Sequence, residues 1–345
     1  MKRFLIVLLL VIPLFVSCSK KESEKLILYS WADYVGEEVI KDFKKETGID
    51  VVYAEFDTNE NMYAKVKANT SEYDIIIPSD YMIEKMIRED MVEKINFENI
   101  PNIKSINATL MEMSKSYDST GEYSIPYSFG TLGIIYNKKE LGKEVNSFSE
   151  IFNKDYKGQI LMIDSVRDAF ACALKYNGVS LNSTNELEIE KALNLLKEQK
   201  SLVQAYANDQ IRDKMISNEA EIGVYFSPDA FYMKNENKDL EYVLPKEGTN
   251  LWIDGMVILK GSKNKENAEK FINYLFRDDV AYKNYREVLI ASTNENAAKK
   301  LIEDGYGDEI MYPDNEIIKN LEVYKYLGRD IDEIYKKFWF DLRGE

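Results

Sequence analysis

The sequence predicts an α/β protein that is divided into two domains. Between residues 25 and 77, strand-like apolar runs alternate with segments whose apolar residues recur at helical spacing, and this alternation is typical of a parallel β-α-β-α-β unit. The chain has 345 residues, of which 45% are hydrophobic and 12% aromatic. Such a chain can bury a large core, and its length favours two domains over one.

The first five elements follow from this alternation. Gly48 is the expected C-terminal stop of the first helix. In the second helix, we expect Met62, Tyr63 and Val66 to face the core. The predicted elements are a strand over residues 25–31, a helix over 36–47, a strand over 49–56, a helix over 59–69 and a strand over 73–77.

Later segments are predicted in the same way. Residues 122–141 hold two short apolar runs around turn residues, and the exit of this segment predicts a crossover into a second lobe. A helix is expected after a capping box from Ser183 to Glu186, with apolar positions at Leu187, Ile189, Leu193 and Leu196. Further predicted elements are strands over 160–164 and 220–226 and helices over 209–217, 265–276 and 280–286.

The N-terminus is typical of a secretory signal. Lys2 and Arg3 precede an apolar run over residues 4–16, which is too short to span a membrane comfortably. The end of this run resembles a bacterial lipobox, in which Cys18 is lipidated and becomes the first residue after cleavage. Phe15 departs from the pattern, because leucine is usual at that position.

We therefore predict a lipoprotein signal peptide over residues 1–17, lipidation at Cys18 and a polar lipidated tether over residues 18–25. An uncleaved membrane anchor is the alternative. Either outcome places a soluble body in the periplasm or at the outer face of the cytoplasmic membrane.

Composition excludes several classes of function. The formal net charge is −15, and such a surface repels nucleic acid and attracts small cations, although solubility alone explains most of the charge. The chain has no histidine, which excludes Ser-His and Cys-His nucleophiles and the usual zinc sites. We expect no metal and no cofactor. Once Cys18 is lipidated, only Cys172 remains, so the mature body cannot form an internal disulfide.

Aromatic and acidic residues gather at the ends of the predicted strands. Ligands of parallel sheets bind beyond the carboxyl ends of the strands, so one crevice should collect these side chains. Ring faces attract cations and carboxylates supply the counter-charge, which suits an alkyl ammonium. The rings belong to Trp31, Tyr34, Tyr81, Phe226 and Trp252, and the carboxylates belong to Asp33, Asp168, Asp229 and Asp254.

Ordinary structural roles are open for the same residues. Trp252 could belong to the core, Asp33 and Ser79 could cap helices, and Asp229 could serve a turn. Two carboxylates among aromatic rings also suit an extracellular glycoside hydrolase that depends on carboxylates alone, which is the enzyme alternative.

Seven motifs resemble the polyamine-binding proteins of bacterial ABC transporters. The resemblance runs from about Leu26 to the C-terminus. The motifs are WADY (31–34), FDTNENMYAKVKA (56–68), YDIIIPSDY (73–81), YSIPYSFG (123–130), YKGQILMID (156–164), LPKEGTNLWID (244–254) and MYPDNEIIKN (311–320).

The resemblance implies the type II periplasmic-binding-protein fold, in which two α/β lobes are joined by a hinge and the ligand cleft lies between them. By position, we expect an N-lobe of residues 26–132 plus 255–300 and a C-lobe of residues 133–254 plus 301–345.

The resemblance also implies roles for single residues. Asp254 matches the family's amine-binding aspartate, Ser79 matches a polar contact and Asp168 matches an acidic contact. Phe226 stands where spermidine carriers have tryptophan, and Ser165 stands where they have a carboxylate for an additional amine.

Other positions are closer to the putrescine carriers. Asp33 and Asp229 match aspartates of that group, whereas Tyr324 falls where spermidine carriers have a glutamine. The resemblance thus implies a binding protein, not an enzyme, that captures putrescine, spermidine or both and delivers them to an ABC permease and its ATPase. We expect a monomer. A carrier of the same fold for another small cationic solute is the alternative.

Overall fold

A computed structural model of the chain describes residues 24–344. Within these residues, ten strands are interspersed with fourteen α-helices, which confirms the predicted α/β class. The predicted signal peptide and Cys18 lie outside the described residues. Among residues 24–344, no helix is both long and apolar enough to cross a bilayer.

The strands are β1 Lys25–Ser30, β2 Asp50–Glu55, β3 Ile75–Ile76, β4 Ser124–Asn137, β5 Ile160–Ile163, β6 Val203–Ala207, β7 Ile222–Phe226, β8 Leu240–Val243, β9 Leu251–Ile258 and β10 Ala291–Ser292.

The α-helices are α1 Glu37–Thr47, α2 Asn59–Ala68, α3 Asp80–Arg88, α4 Ala108–Ser114, α5 Lys138–Leu141, α6 Val166–Tyr176, α7 Glu186–Lys200, α8 Gln210–Ile216, α9 Ser227–Glu236, α10 Lys265–Leu275, α11 Asp278–Val288, α12 Glu295–Glu303, α13 Asn315–Ile318 and α14 Arg329–Arg343. Short 3-10 helices cover Phe97–Asn99, Pro101–Ser105, Phe148–Phe152 and Lys154–Tyr156.

The strands follow the order β2-β1-β3-β9-β4-β7-β5-β6, with β8 and β10 also paired to β4. As predicted, β1 runs parallel to β2 and β3. Strand β5 runs parallel to β7 and to β6, a strand that was not predicted. Strand β4 joins these two parallel groups, because its residues 124–131 pair with β9 and its residues 132–136 pair with β7, both antiparallel.

The prediction of two short runs within residues 122–141 is wrong. A single strand of 14 residues covers most of this segment. Its Gly130 serves a close approach, not a turn, since a Cβ there would lie 2.3 Å from Cζ2 of Trp252. Gly133 likewise leaves room for the ring of Tyr242.

The predicted elements at the N-terminal end are largely confirmed. Helix α1 stops at Gly48, whose φ of 77° is left-handed. In α2, Met62 and Val66 are fully buried, as expected. Tyr63 is only half-buried, because its hydroxyl reaches the surface and donates a hydrogen bond to Glu89.

The predicted capping box before α7 is wrong. The N-cap residue is Asn185, whose side chain accepts from the backbone N–H of Leu187. The hydroxyl of Ser183 instead donates to Glu188. Leu187 is 67% exposed, so it is not one of the core positions. The other three predicted apolar positions are buried: Ile189, Leu193 and Leu196.

The apolar core is divided into clusters that follow the sheet. One cluster joins residues between 26 and 127 with residues between 256 and 301. A second cluster is built almost wholly from residues between 132 and 240. A third packs β1, α2 and α3 against β9 and against residues 311–323. Helix α14 closes a fourth cluster against α6 and α7.

Candidate ligand-binding site

Strand β9 places two predicted residues on one face of the sheet. Trp252 and Asp254 are two positions apart, so their side chains point the same way. Asp254 lies opposite Ser128 of β4 and also forms an antiparallel bridge with Ser79, which follows β3. The sheet therefore brings Asp254 beside the carboxyl ends of the parallel strands β1 and β3.

Asp254 is 3% exposed, and only one of its two carboxylate oxygens has a hydrogen-bond partner within the described residues. The Tyr34 hydroxyl donates to its Oδ2 at 2.5 Å. Among the described residues, its Oδ1 is buried and has no hydrogen-bond partner. Burial raises the pKa of Asp254 to about 6, although the hydroxyls of Tyr34 and Ser79 oppose this rise. A buried acceptor oxygen is therefore open to a donor from a ligand.

Four of the predicted aromatic rings form two pairs, one of which includes Tyr34, the hydrogen-bond partner of Asp254, and the other Trp252, its neighbour on the same face of β9. The rings of Trp31 and Tyr34 lie 6.4 Å apart, and those of Phe226 and Trp252 lie 6.2 Å apart in an edge-to-face arrangement. The second pair meets because Trp252 and Phe226 face β4 from opposite sides, two residues apart along that strand. In residues 24–344, the indole N–H groups of Trp31 and Trp252 are buried without a partner.

Asn59 holds the two residues that follow β3. Its amide donates to the hydroxyls of Ser79 at 3.1 Å and Tyr81 at 3.2 Å, and its carbonyl oxygen accepts from the backbone N–H of Ser79. Ser79 occupies the N-cap position of α3, but its side chain makes no capping hydrogen bond. The hydroxyl is thereby left close to Asp254, whose pKa it lowers.

Asp168 lies in a second polar group, at the start of α6. The Ser165 hydroxyl donates to its Oδ2 at 2.6 Å, and the Tyr324 hydroxyl donates to its Oδ1 at 2.9 Å. Burial raises the pKa of Asp168, while these two hydroxyls oppose the rise. The guanidinium of Arg167 stacks at 4.5 Å from the Tyr324 ring centroid. Tyr81 packs against the cluster that contains Tyr324, which connects this group to Asp254 through α3.

Asp229 is paired within the chain. It lies in the first turn of α9 and not in a turn between elements, and its Oδ1 is 3.3 Å from Nη1 of Arg212. Burial raises the pKa of Asp229 to about 6, and the charge of Arg212 opposes this rise.

Asp33 is the predicted residue that is not gathered with the rest. It is exposed in the turn after β1, with a left-handed φ of 54°.

A separate cavity of about 380 Å³ lies away from these residues. Its walls mix apolar side chains with charges of both signs, and none of the predicted binding residues lines it. It is lined by Asn107, Leu110, Phe129, Ser292, Thr293, Glu295, Ala298, Lys299, Ile302, Tyr312, Pro313, Asp314, Asn315 and Ile318.

Comparison with known proteins assigns the chain to a family. The family model of bacterial extracellular solute-binding proteins matches residues 38–305, which is more than half of the chain. The chain belongs to this family. Its core clusters and the strand order fit the two-lobe fold that the family shares.

Individual relatives of this solute-binding protein have informative names. The spermidine/putrescine-binding periplasmic protein of Escherichia coli K12 is 35% identical over 326 residues, which cover 94% of this chain and 92% of the relative. The corresponding protein 1 of Haemophilus influenzae is 30% identical over 93% of this chain and 89% of the relative. The putrescine-binding periplasmic protein SpuD of Pseudomonas aeruginosa is 26% identical, covering 94% of this chain and 93% of the relative.

Solved structures agree with these relatives. The spermidine/putrescine ABC transporter substrate-binding protein PotD of Streptococcus pneumoniae has a TM-score of 0.83 and 36% identity, covering 93% of this chain and 99% of that chain. The TpPotD lipoprotein of Treponema pallidum has a TM-score of 0.84 and 25% identity, covering 93% and 100%. The resemblance found in the sequence motifs is thus confirmed, and the relatives are binding proteins, which leaves the glycoside hydrolase alternative without support.

Two residues of the solute-binding protein's site were missed by the sequence analysis. Asn59 was within one of the quoted motifs, and its position at the exit of β2 was a usable signal. Arg212 was placed in a predicted helix, but nothing in its local sequence points to Asp229, 17 residues later.

Proposed function

We propose that this solute-binding protein captures a linear polyamine, putrescine or spermidine, between the aromatic rings around Asp254. The observation that carries the proposal is the free buried oxygen of that carboxylate. A buried anion is costly unless a cation or several donors meet it, and an alkyl ammonium brings both a charge and three N–H donors.

The neighbouring rings suit the rest of such a ligand. The Trp31 and Tyr34 rings form one pair and the Phe226 and Trp252 rings another, and both pairs offer flat apolar faces to a methylene chain. Each ring face also attracts an ammonium by roughly 0.5 to 2 kcal/mol, depending on how much water is excluded. The side chains of all four residues are half-buried, as expected for the walls of a cleft.

The names of the relatives support the same ligand class. Relatives that cover more than 90% of this chain are named for binding spermidine and putrescine, or putrescine alone. Because Ser165 replaces a carboxylate of the spermidine carriers, we expect putrescine to bind at least as well as spermidine.

Delivery to an ABC permease and its ATPase is part of the proposal. We retain the predicted N-lobe of residues 26–132 plus 255–300 and C-lobe of residues 133–254 plus 301–345 with one change, which is the transfer of residues 311–323 to the N-lobe. The two lobes would close on the ligand by a hinge motion. The separate core clusters around the two parallel groups of strands support two lobes, and the packing of residues 311–323 against β1 and β9 supports the transfer of that segment.

We also propose that the mature protein is anchored by lipid at Cys18, acts outside the cytoplasmic membrane and is monomeric. The Treponema relative described as a lipoprotein supports the anchor.

Calorimetric titration of the mature domain tests the ligand class. Putrescine, spermidine, an amino acid and a sugar should be titrated separately. We expect heat of binding with the diamine and the triamine only. Binding of the amino acid or the sugar without the amines would contradict the proposal.

A further inference from the structure

We propose that Arg212 is a specificity-determining residue. Its guanidinium pairs with Asp229 and so prevents a ligand ammonium from pairing with that carboxylate. The inference rests on the proposed polyamine function and refines it. It means that one of the carboxylates that resemble those of putrescine carriers is already neutralised by this chain and does not attract the ligand.

The geometry of the pair is direct. Arg212 projects from α8 and places Nη1 3.3 Å from Asp229 Oδ1, while its Nη2 lies 3.8 Å from Asp209 Oδ2. The side chains of Arg212 and Asp229 are 38% and 24% exposed. The guanidinium is therefore held between two carboxylates in a place that water only partly reaches.

Asp229 nevertheless lies next to the proposed cleft. It is the third residue of α9, and Phe226 immediately precedes this helix. The Phe226 ring contacts the Trp252 ring, which forms one wall around Asp254. Without Arg212, the carboxylate at this position would add a negative charge beside that wall.

The competition favours Arg212 over a ligand. A guanidinium is charged at every accessible pH, is less strongly hydrated than an ammonium and is tethered to the protein, so it does not lose freedom of translation when it meets the carboxylate. The position of Asp229 in the first turn of α9 adds the favourable field of the helix N-terminus. Asp229 thus has enough partners without a ligand.

The remaining carboxylates then define the ligand's end groups. Asp168 already accepts from two hydroxyls, at Ser165 and Tyr324. Asp254 keeps the buried carboxylate oxygen that lacks a partner among the described residues. This distribution favours a diamine, which needs fewer counter-charges than a triamine.

Arg212→Gln tests the inference. Glutamine keeps helix propensity and polarity but frees the charge of Asp229. We expect the dissociation constant for spermidine to fall by at least about threefold, and that for putrescine to fall less, because the triamine brings one more ammonium. The double variant R212Q/D229N should lose this gain.

Lys214→Gln is the matched control. Lys214 lies on the same helix and pairs with Glu219 at 2.7 Å, so its replacement removes the same charge without freeing Asp229. We expect it to change either dissociation constant by less than about twofold, since Glu219, the carboxylate that it frees, is 56% exposed and is screened by solvent, whereas Asp229 is only 24% exposed.

Each outcome has a separate meaning. If the unmodified protein binds neither amine, the proposed function fails and the inference fails with it. If the unmodified protein binds but R212Q binds spermidine no more tightly than K214Q does, the proposed function stands and the role of Arg212 is overturned. Weaker binding by R212Q would likewise overturn it, because Arg212 would then support the ligand's contacts.

Discussion

The Tyr34 hydroxyl donates a hydrogen bond of 2.5 Å to Asp254, a residue 220 positions later in the chain. Burial and the adjacent carboxylate raise the pKa of Tyr34 well above its usual value, so the hydroxyl stays protonated and remains a donor. The contact fixes Oδ2 and leaves Oδ1 open within the described structure. The charge of Asp254 is therefore oriented before any ligand arrives, which reduces the cost of ordering on binding.

Asp254→Asn should weaken polyamine binding by about 2 to 5 kcal/mol, by analogy with the removal of one partner from a buried charge pair. Asparagine keeps the shape of the side chain and can still accept from Tyr34, but it offers no charge to an ammonium. Calorimetry with putrescine measures the loss. Unchanged affinity in a variant with an unchanged melting temperature would contradict the assignment of Asp254 to the ligand.

Binding should also weaken in acid. The ligand-free pKa of Asp254 is about 6, whereas alkyl ammonium groups titrate near pH ~10 and stay charged throughout. Below pH about 6, the carboxyl must lose a proton before it can pair, so the dissociation constant should rise toward about tenfold per pH unit. A dissociation constant that stays constant from pH about 7.5 to 5 would contradict this linkage.

The stability of the ligand-free protein should change in the opposite sense. Because the pKa of Asp254 is raised from 3.8 to about 6, its contribution to stability is fully present below pH about 4 and is lost as the pH rises through 6. Asp229 has a pKa of about 6 as well, so the comparison with Asp254→Asn is needed. A pH dependence that persists in this variant belongs to Asp229 or to the other carboxyls whose pKa burial raises, which are Asp80, Asp168, Asp308 and Asp332.

Trp252→Leu should weaken binding by roughly 0.5 to 2 kcal/mol, since leucine offers no ring face to a cation and no flat wall to methylenes. The alternative is that Trp252 serves the core. Thermal unfolding without ligand separates the two, because a lower melting temperature with retained affinity would favour the core role.

Gly130→Ala should displace the Trp252 ring without removing it, which is a second test of the role of that ring. The new Cβ would meet Cζ2 of Trp252 at 2.3 Å, so the indole must move although it is not removed. We expect binding to weaken in this variant too, with a cost in stability of about 1 to 3 kcal/mol from overpacking. Full affinity with a displaced indole, detected by tryptophan fluorescence, would argue against a ligand role for the ring.

Local features of the fold were predictable from the sequence because they depend on neighbouring residues. The α1 helix, its stop at Gly48 and the parallel strands β1 to β3 follow from periodicity and from one glycine. The aromatic and acidic residues at strand ends followed from the same pattern, and the family resemblance named Asp254.

Features set by distant partners were not predictable. The turn residues within 122–141 suggested a break between two runs, but β4 continues through Gly130, which leaves the space that the Trp252 ring occupies. Asp229 was predicted to bind the ligand, and its pairing with Arg212 was not foreseen, since the helix that supplies Arg212 precedes β7 and no periodicity relates the two residues.

Cys18→Ser should abolish lipid attachment, because the lipid must be joined to that thiol. The protein would then be either uncleaved or released from the membrane. Detergent-phase partitioning of cell fractions measures the change. Partitioning identical to that of the unmodified protein would show that the lipobox prediction is wrong.

Ser165→Asp should shift the preference toward spermidine. Ser165 caps α6 and donates to Asp168 at 2.6 Å, and aspartate is an equally good N-cap residue, so the helix should be retained. The new carboxylate would lie beside Asp168, and their mutual repulsion raises the cost of the ligand-free state. An additional ammonium relieves this repulsion, and only the triamine has one to offer after its other amines are bound. We expect the ratio of the spermidine to the putrescine dissociation constant to fall by about 3- to 10-fold, which is the effect of adding one ion pair that is partly exposed to solvent. Ser165→Asn is the matched control, because it keeps the cap without the charge and should leave the ratio unchanged. A ratio that also stays level in Ser165→Asp, or that moves toward putrescine, would show that position 165 does not face the third amine.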